Sequence, residues 1–364
     1  MLLGMAERIG IAILFVLVLE LCARTEDWLR WGAPFGAAYS PDTLTVSDAF
    51  GRHNRPGARY EKWHINSHGF RGPEIPLKKP DGIIRIVVTG ASEAFGLYES
   101  PGMEFPAQMQ RELNAVCPGV YQVLNAASAG MTPPNITHYF KTWLLQFEPD
   151  ILICYPAPAF YLDIEPPRLS VTAQTGQTGT RHAFRSSWRL TRKVRISLKR
   201  LLPDSLQAHV NRFRVQRIVS DHPPGWVWET PPLGRLRLFR RHMDQMIGVV
   251  QKHETTVILG THAVRFAGGM STADKRFMAS WRRFYPRASQ DCLLAAESAC
   301  NAIIRELASA RGIAVVDIDS LVQKSPCYFA DSSHFTDEGA AVVSTAFVSQ
   351  ILRRVPAAHR QHGH

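Results

Sequence analysis

Five short apolar runs, each closed by turn residues and separated by segments of helical period, constrain the fold of this chain more than any other feature. They are Ile84–Thr89 (IRIVVT), Tyr121–Asn125 (YQVLN), Asp150–Tyr155 (DILICY), Thr255–Leu259 (TTVIL) and Ile313–Ile318 (IAVVDI). A run that is apolar at nearly every position reads as a strand buried on both faces. Helical periodicity lies between them, over Phe105–Val116, Asn135–Leu145, Arg235–Val250 and Leu293–Ala310, with Thr336–Leu352 last. Strand–helix alternation predicts a five-stranded parallel sheet with helices on both faces, a three-layer α/β/α architecture. Sites in such sheets lie at the carboxyl ends of the strands, so the loops there are the place to look for chemistry.

Residues 81–356 are read as this α/β domain, interrupted by an insertion over 168–222. Residues 32–80, rich in Gly, Pro and polar side chains, read as an extended lead-in with turns, and 357–364 as a disordered tail. His359, His362 and His364 belong to that tail rather than to a metal site. The six cysteines show neither CxxC nor metal-ligand spacing, which argues against a zinc ribbon or a disulfide scaffold. No metal or organic cofactor is indicated.

The first 31 residues form a hydrophobic helix. Ile9–Ala23 is apolar except for Glu20. Fifteen helical residues span about 22 Å, against about 30 Å for a bilayer core; extension through Met1–Ala6 would close the gap. Trp28 and Trp31 follow where interfacial anchors would stand. An uncleaved single-pass membrane anchor is the favoured reading, with the α/β domain on the periplasmic or extracytoplasmic side. A cleaved signal peptide and a buried helix are the alternatives.

The net charge of +11 is concentrated: from Arg181 to Arg217 eleven Lys/Arg face the single acid Asp204. No nucleic-acid module accompanies this stretch, so nucleic acid is not an expected partner. Trp188, Leu190, Val194, Leu198, Leu201 and Leu202 interleave with the cations, giving an imperfect amphipathic helix. Three readings stand: contact with an anionic membrane surface, a solvated cap helix over the sheet, and capture of an anionic polymer.

Two loops carry the chemistry. The first strand ends in Thr89-Gly90-Ala91-Ser92-Glu93-Ala94-Phe95-Gly96, which puts Ser92 in a Gly-flanked turn at the sheet edge. The last loop reads Asp331-Ser332-Ser333-His334-Phe335-Thr336-Asp337-Glu338-Gly339. There His334 is placed to take the proton from Ser92, and Asp331 to orient the imidazole and stabilise its charged form. Taken singly, the serine is an ordinary turn residue and the aspartate a helix cap.

A serine after strand one and Asp-x-x-His after strand five resemble the SGNH (GDSL-type) hydrolases. The lead-in Ile65-Asn66-Ser67-His68-Gly69-Phe70-Arg71-Gly72-Pro73-Glu74 looks like the stretch before the nucleophile in membrane-anchored bacterial members. The resemblance covers about residues 60–165 and 255–352 and implies a flavodoxin-like sheet. It places the nucleophile at Ser92, though the Gly-Asp-Ser block here reads Gly90-Ala91-Ser92. The family glycine falls at Ala127, in Asn125-Ala126-Ala127-Ser128-Ala129-Gly130. The family asparagine falls near Ala159, in Tyr155-Pro156-Ala157-Pro158-Ala159-Phe160, so the Gly-x-Asn-Asp block is lost. The oxyanion donors left are the backbone amides of Ser92 and Ala127. Asn135 is either a substitute donor or the N-cap of the next helix. His262 either lines the pocket or is a loop histidine without a catalytic role. Glu93 is read as a solvated neighbour.

What the resemblance implies is a serine-dependent acyl-ester hydrolase acting near a membrane surface on small or glycan O-acyl esters. An O-acyltransferase with the same triad and a degenerate binding protein are the alternatives.

Overall fold

The computed structural model describes residues 4–36, 44–162, 188–266 and 270–354. Arg181 and Arg185 of the basic segment, and the three tail histidines, lie outside the described residues. Helix α1 (Met5–Trp31) comes first, followed by two antiparallel ribbons, β1 (Thr45–Asp48) with β2 (Gly51–Asn54) and β3 (Arg59–Tyr60) with β4 (Trp63–His64). The α/β body then runs β5 (Ile84–Gly90), α2 (Ser92–Phe95), α3 (Phe105–Val116), β6 (Tyr121–Asn125), α4 (Pro133–Thr142) and β7 (Ile151–Tyr155). Helices α5 (Arg189–Leu201), α6 (Asp204–Ser220) and α7 (Leu233–Gln251) precede β8 (Thr256–Gly260). The chain closes with α8 (Thr272–Arg282), α9 (Gln290–Arg311), β9 (Ala314–Val316), α10 (Ile318–Leu321) and α11 (Asp337–Arg354).

The five strands β5 to β9 form one parallel sheet in the order β6-β5-β7-β8-β9. Side chains alternate across it. Ile86, Val88, Ile153 and Ile258 pack with Phe105, Met109, Val343 and Phe347 of α3 and α11. Val87, Leu152, Val257 and Leu259 pack with Ile136, Phe140, Phe239, Met243 and Ile304 of α4, α7 and α9. Each fully buried aliphatic or aromatic side chain contributes about 1.5–3 kcal/mol, and both faces are filled. The strand order reverses beside β5, so the ends of β5 and β7 form the crevice where doubly wound sheets place their sites.

The structure adds to the sequence reading in three places. The extended, turn-rich stretch 44–80 is packed into the body: Tyr60, Trp63, Ile65 and Phe70 are buried in its two main clusters. Backbone pairing also ties the stretch in, through Arg71 N–H to the Asn125 carbonyl at 2.9 Å. A turn-rich stretch hides such packing because its short strands carry no sustained period.

Second, no helix among the described residues is long and apolar enough to cross a membrane. The uncharged apolar run of α1 is only Ile9–Leu19, eleven residues, or about 16 Å. Glu20 ends it. That carboxylate is buried, bonds Arg24 Nε at 2.7 Å, and accepts the backbone N–H groups of Arg189 and Leu190 at 2.9 and 2.8 Å. It thereby satisfies two of the open donors at the start of α5.

Third, the basic segment is less naked than its composition suggests. Arg189 pairs with Asp27 and Glu61, Arg192 with Glu61 at 3.0 Å, and Lys193 with Glu26 and Asp27. These acids lie far away in sequence, so local charge counting misses them.

Candidate active site

Ser92 follows the end of β5 because the chain turns sharply at Gly90. The φ there is +153°, and a Cβ would lie 2.3 Å from the Tyr155 carbonyl oxygen and 2.9 Å from Ala94 Cβ. Only glycine fits such a close approach. Gly90→Ala is expected to destabilise the fold by about 2–4 kcal/mol, read as a lower urea midpoint. An unchanged midpoint would show that the turn is not constrained this way.

The turn is clamped from its far side. Arg71, buried with Glu104 at 3.0 Å, donates Nη1–H to the Phe95 carbonyl at 2.7 Å and to that of Gly96. Asn125 Nδ2 reaches the Ala94 and Phe95 carbonyls at 3.3 and 3.4 Å. The carbonyls left open at the end of α2 therefore have partners. Gly96 lets Arg71 and Glu104 in, since a Cβ there would fall 2.4 Å from Glu104 Cβ. Arg71 and Asn125 are site-building residues that sequence reasoning did not single out; the one signal was the lead-in motif around Arg71.

From the other end of the chain comes the loop before α11. Asp331 Oδ1 accepts the backbone N–H groups of Ser333 and His334, both at 3.1 Å, a local turn that shapes the loop. The same carboxylate meets His334 Nδ1 at 2.8 and 2.9 Å. On the opposite side of the ring, His334 Nε2 lies 2.9 Å from Ser92 Oγ. The structure thus brings Ser92, His334 and Asp331 into one line. The exposed ring of Tyr98 stands edge-on to the imidazole, with centroids 5.1 Å apart.

Burial works against a charge on His334, but the Asp331 and Glu93 carboxylates outweigh it and push its pKa up to about 9. Burial would raise Asp331, yet His334 and two backbone amides hold it below the ordinary carboxylate range.

The remaining expected residues divide. The backbone N–H of Ser92 enters none of the described hydrogen bonds. The N–H of Ala127 is directed at Asn125 Oδ1, 3.2 Å away. Ala127 does not have a positive φ, which is why alanine stands there without strain. Asn135 is not a pocket residue: its Oδ1 accepts from the Thr132 N–H at 3.2 Å and from Thr132 Oγ at 2.7 Å, closing the N-terminal box of α4. Ala159 is not one either. It is buried in a satellite cluster with Val264, Phe266, Met278 and Trp281, so the position expected for the lost asparagine supplies packing and no donor.

His262, read as either a pocket residue or a loop histidine, and Glu93, read as a solvated neighbour, are both buried. Glu93 Oε2 is 3.3 Å from Ser92 Oγ, and its Oε1 accepts from Ser333 Oγ at 2.8 Å. His262 Nδ1 meets Glu297 Oε2 at 2.7 Å, and Nε2 faces Glu93 Oε1 at 3.7 Å. Sequence singles out His262 and Glu93 separately but not their meeting with Glu297, since the three come from the loop after β8, α2 and α9. Among the described residues no group of three or more His, Cys, Asp or Glu is arranged to hold a metal ion.

No family model and no curated protein matches the chain. Among solved structures it is similar to a lipase/acylhydrolase from Enterococcus faecalis, at 16% identity and a TM-score of 0.44, covering 75% of this chain and 98% of that one. It is also similar to a GDSL-like lipase from Bacteroides thetaiotaomicron (12%, 0.40, 74% and 89%). A third is a catalytic mutant of an acetylxylan esterase from Geobacillus stearothermophilus (11%, 0.43, 74% and 94%). Likeness at this level assigns neither a family nor an activity; the chemistry rests on the site's own geometry.

Proposed function

We propose that this chain is a serine-dependent acyl-ester hydrolase of the SGNH type. The observation that carries the reading is the line Ser92 Oγ–His334 Nε2–His334 Nδ1–Asp331, with contacts of 2.9 and 2.8 Å. With His334 neutral, the Ser92 hydroxyl donates its proton to Nε2 as Oγ bonds to the acyl carbon. Asp331 accepts the Nδ1–H and stabilises the imidazolium. The oxyanion is received by the Ser92 N–H, and by Ala127 if its N–H leaves Asn125. His334 then protonates the departing alkoxide, and water reverses the sequence on the acyl-enzyme. Missing the asparagine donor costs roughly 10²–10³ in rate, so activated and small O-acyl esters, glycan acetates among them, are the substrate class.

The deciding experiment is labelling with a fluorophosphonate, native protein against Ser92→Ala. Ser92-dependent label supports the reading, and its absence at every pH from 6 to 10 refutes it in favour of a degenerate binding protein. Turnover of p-nitrophenyl acetate with and without sugar acceptors then separates hydrolysis from O-acyl transfer, which shares the acyl-enzyme.

The site works beside a membrane surface in this reading. Ile9, Ile11, Ile13, Leu14, Phe15, Leu17 and Leu21 of α1 are all exposed, Leu14 and Phe15 each at 62%. So are Val194, Leu198 and Leu201 on the basic helix α5. Apolar surface of this extent next to cations suits an anionic lipid surface. Sedimentation with phosphatidylglycerol vesicles is expected to carry the protein down, and Leu14→Asp with Leu17→Asp to cut the bound fraction at least tenfold. Equal binding by the variant would remove this part of the proposal.

A further inference from the structure

Behind the triad lies a second row of ionisable groups that ester hydrolysis does not require. Glu93 follows the nucleophile directly and is buried. Its two oxygens are divided: Oε2 accepts from Ser92 Oγ at 3.3 Å, while Oε1 takes the Ser333 hydroxyl at 2.8 Å and lies 4.0 Å from His334 Nε2 and 3.7 Å from His262 Nε2. His262 in turn is fixed on both sides. Asn301 accepts its backbone N–H and donates to its carbonyl, both at 2.8 Å, and Glu297 holds Nδ1 at 2.7 Å. One imidazole thus stands between two buried carboxylates, and one of those carboxylates touches the reacting hydroxyl.

We propose that Glu93 is a second acceptor for the Ser92 proton, held in place by the His262–Glu297 pair, and that this row sets the pH at which Ser92 becomes nucleophilic. The proposal rests on the triad reading and adds to it. The hydroxyl has one proton and two acceptors. When His334 is an imidazolium, Nε2–H donates to Oγ and the hydroxyl turns its proton to Glu93, a resting arrangement. When His334 loses its proton, the hydroxyl donates to Nε2 and attack begins. The carboxylate beside the imidazole favours the first arrangement. His262 and Glu297 are positioning residues that keep that carboxylate aimed and ionised.

The charges around each group agree. His334 is faced by Asp331 on its own loop, by Glu93 from α2, by Glu99 from the following segment, and by Tyr98. Burial pushes the Glu99 carboxyl up to about 7. Glu93 is faced by His334, by His262 from the loop after β8 and by Tyr155, while Glu297 of α9 faces His262 from its other side. Burial opposes a charge on His262, but Glu297 and Glu93 outweigh it and raise it to about 10. Burial alone would raise Glu93, whereas the two imidazolium rings hold it well below the carboxylate range. The sign follows. Active base appears as pH rises toward about 9. Removing the Glu93 charge moves that limb down, and removing the His262 cation moves it up.

The test uses Glu93→Gln and His262→Gln in the full chain, each read two ways. One is the rate of fluorophosphonate labelling from pH 6 to 10. The other is the titration of the His334 Cε1–H resonance by NMR, assigned by its loss in His334→Gln. A like-sized charge within about 4–6 Å shifts a pKa by about 1–3 units. Glu93→Gln should therefore lower both midpoints by about 1–3 units and speed labelling at pH 7 tenfold or more. His262→Gln should raise them. Midpoints that stay within about 0.3 unit, or that move the same way in both variants, overturn the proposal. The resonance needs no turnover, so it decides this point even in a protein that never labels. If Glu93→Gln does not fold, Glu297→Gln is measured instead; it removes one of the carboxylates that holds His262 charged, and an unmoved His334 midpoint there overturns the proposal equally.

Discussion

Replacing His334 with alanine is expected to lower kcat/KM for an activated ester by roughly 10⁴-fold or more. The imidazole does two jobs in the proposed cycle. It takes the Ser92 proton across 2.9 Å and later returns one to the leaving alkoxide. Among the described residues no other side chain is placed for both: Glu93 also reaches Ser92 Oγ, but its carboxyl is held too acidic to serve as an effective base near neutral pH. Asp331→Asn should cost about 10³–10⁴-fold, because the amide leaves His334 Nδ1 in the wrong tautomer while preserving the turn. Residues acting as a unit are not additive, so Ser92→Ala with His334→Ala should be little worse than either alone. Steady-state hydrolysis of p-nitrophenyl acetate, assayed near pH 9 where His334 sheds its proton, measures all three. A His334→Ala protein within tenfold of native would mean that the line of contacts is not the catalytic machinery.

The second large effect is on stability. Arg71→Ala is expected to cost about 3–5 kcal/mol, seen as a lower urea midpoint. The substitution leaves the Glu104 carboxylate buried without its cation, and it strips donors from the Phe95 and Gly96 carbonyls. Those carbonyls end the helical turn that begins at Ser92, so fluorophosphonate labelling should slow as well, even in conditions where the variant stays folded. A substitution in the lead-in thus acts on the nucleophile about twenty residues away. Full stability in the variant would show that Arg71 is a passenger in the motif.

How much of this was legible in the sequence differs by residue. The strands announced themselves because burial on both faces demands continuous apolar runs, and all five lie within a few residues of where those runs stand. Ser92 and the Asp331–His334 pair were legible because each is set by local chain geometry: a glycine-framed turn after a strand, and an aspartate that caps its own loop. The capping role of Asn135 was the plainer of its two readings, because helix starts are local; the structure puts Thr132 at the cap itself and Asn135 three residues on, closing the box. The surroundings of Ala159 and of Glu20 were out of reach for a different reason. Whether an alanine lines a pocket or fills a core, and whether Glu20 sits in lipid or at the head of α5, depends on what arrives from elsewhere in the chain.

What the linear order determined by itself was the layered α/β body and the loops on which chemistry could sit, because hydrophobic period and turn chemistry act over a few residues. Only the tertiary structure decided that Glu93 is buried against His262 and Glu297, that Arg71 braces the nucleophile turn, and that the acids of α1 and Glu61 take up cations of α5. Those are pairings of charge across the fold, worth having only once water is excluded, and no short stretch of sequence carries them.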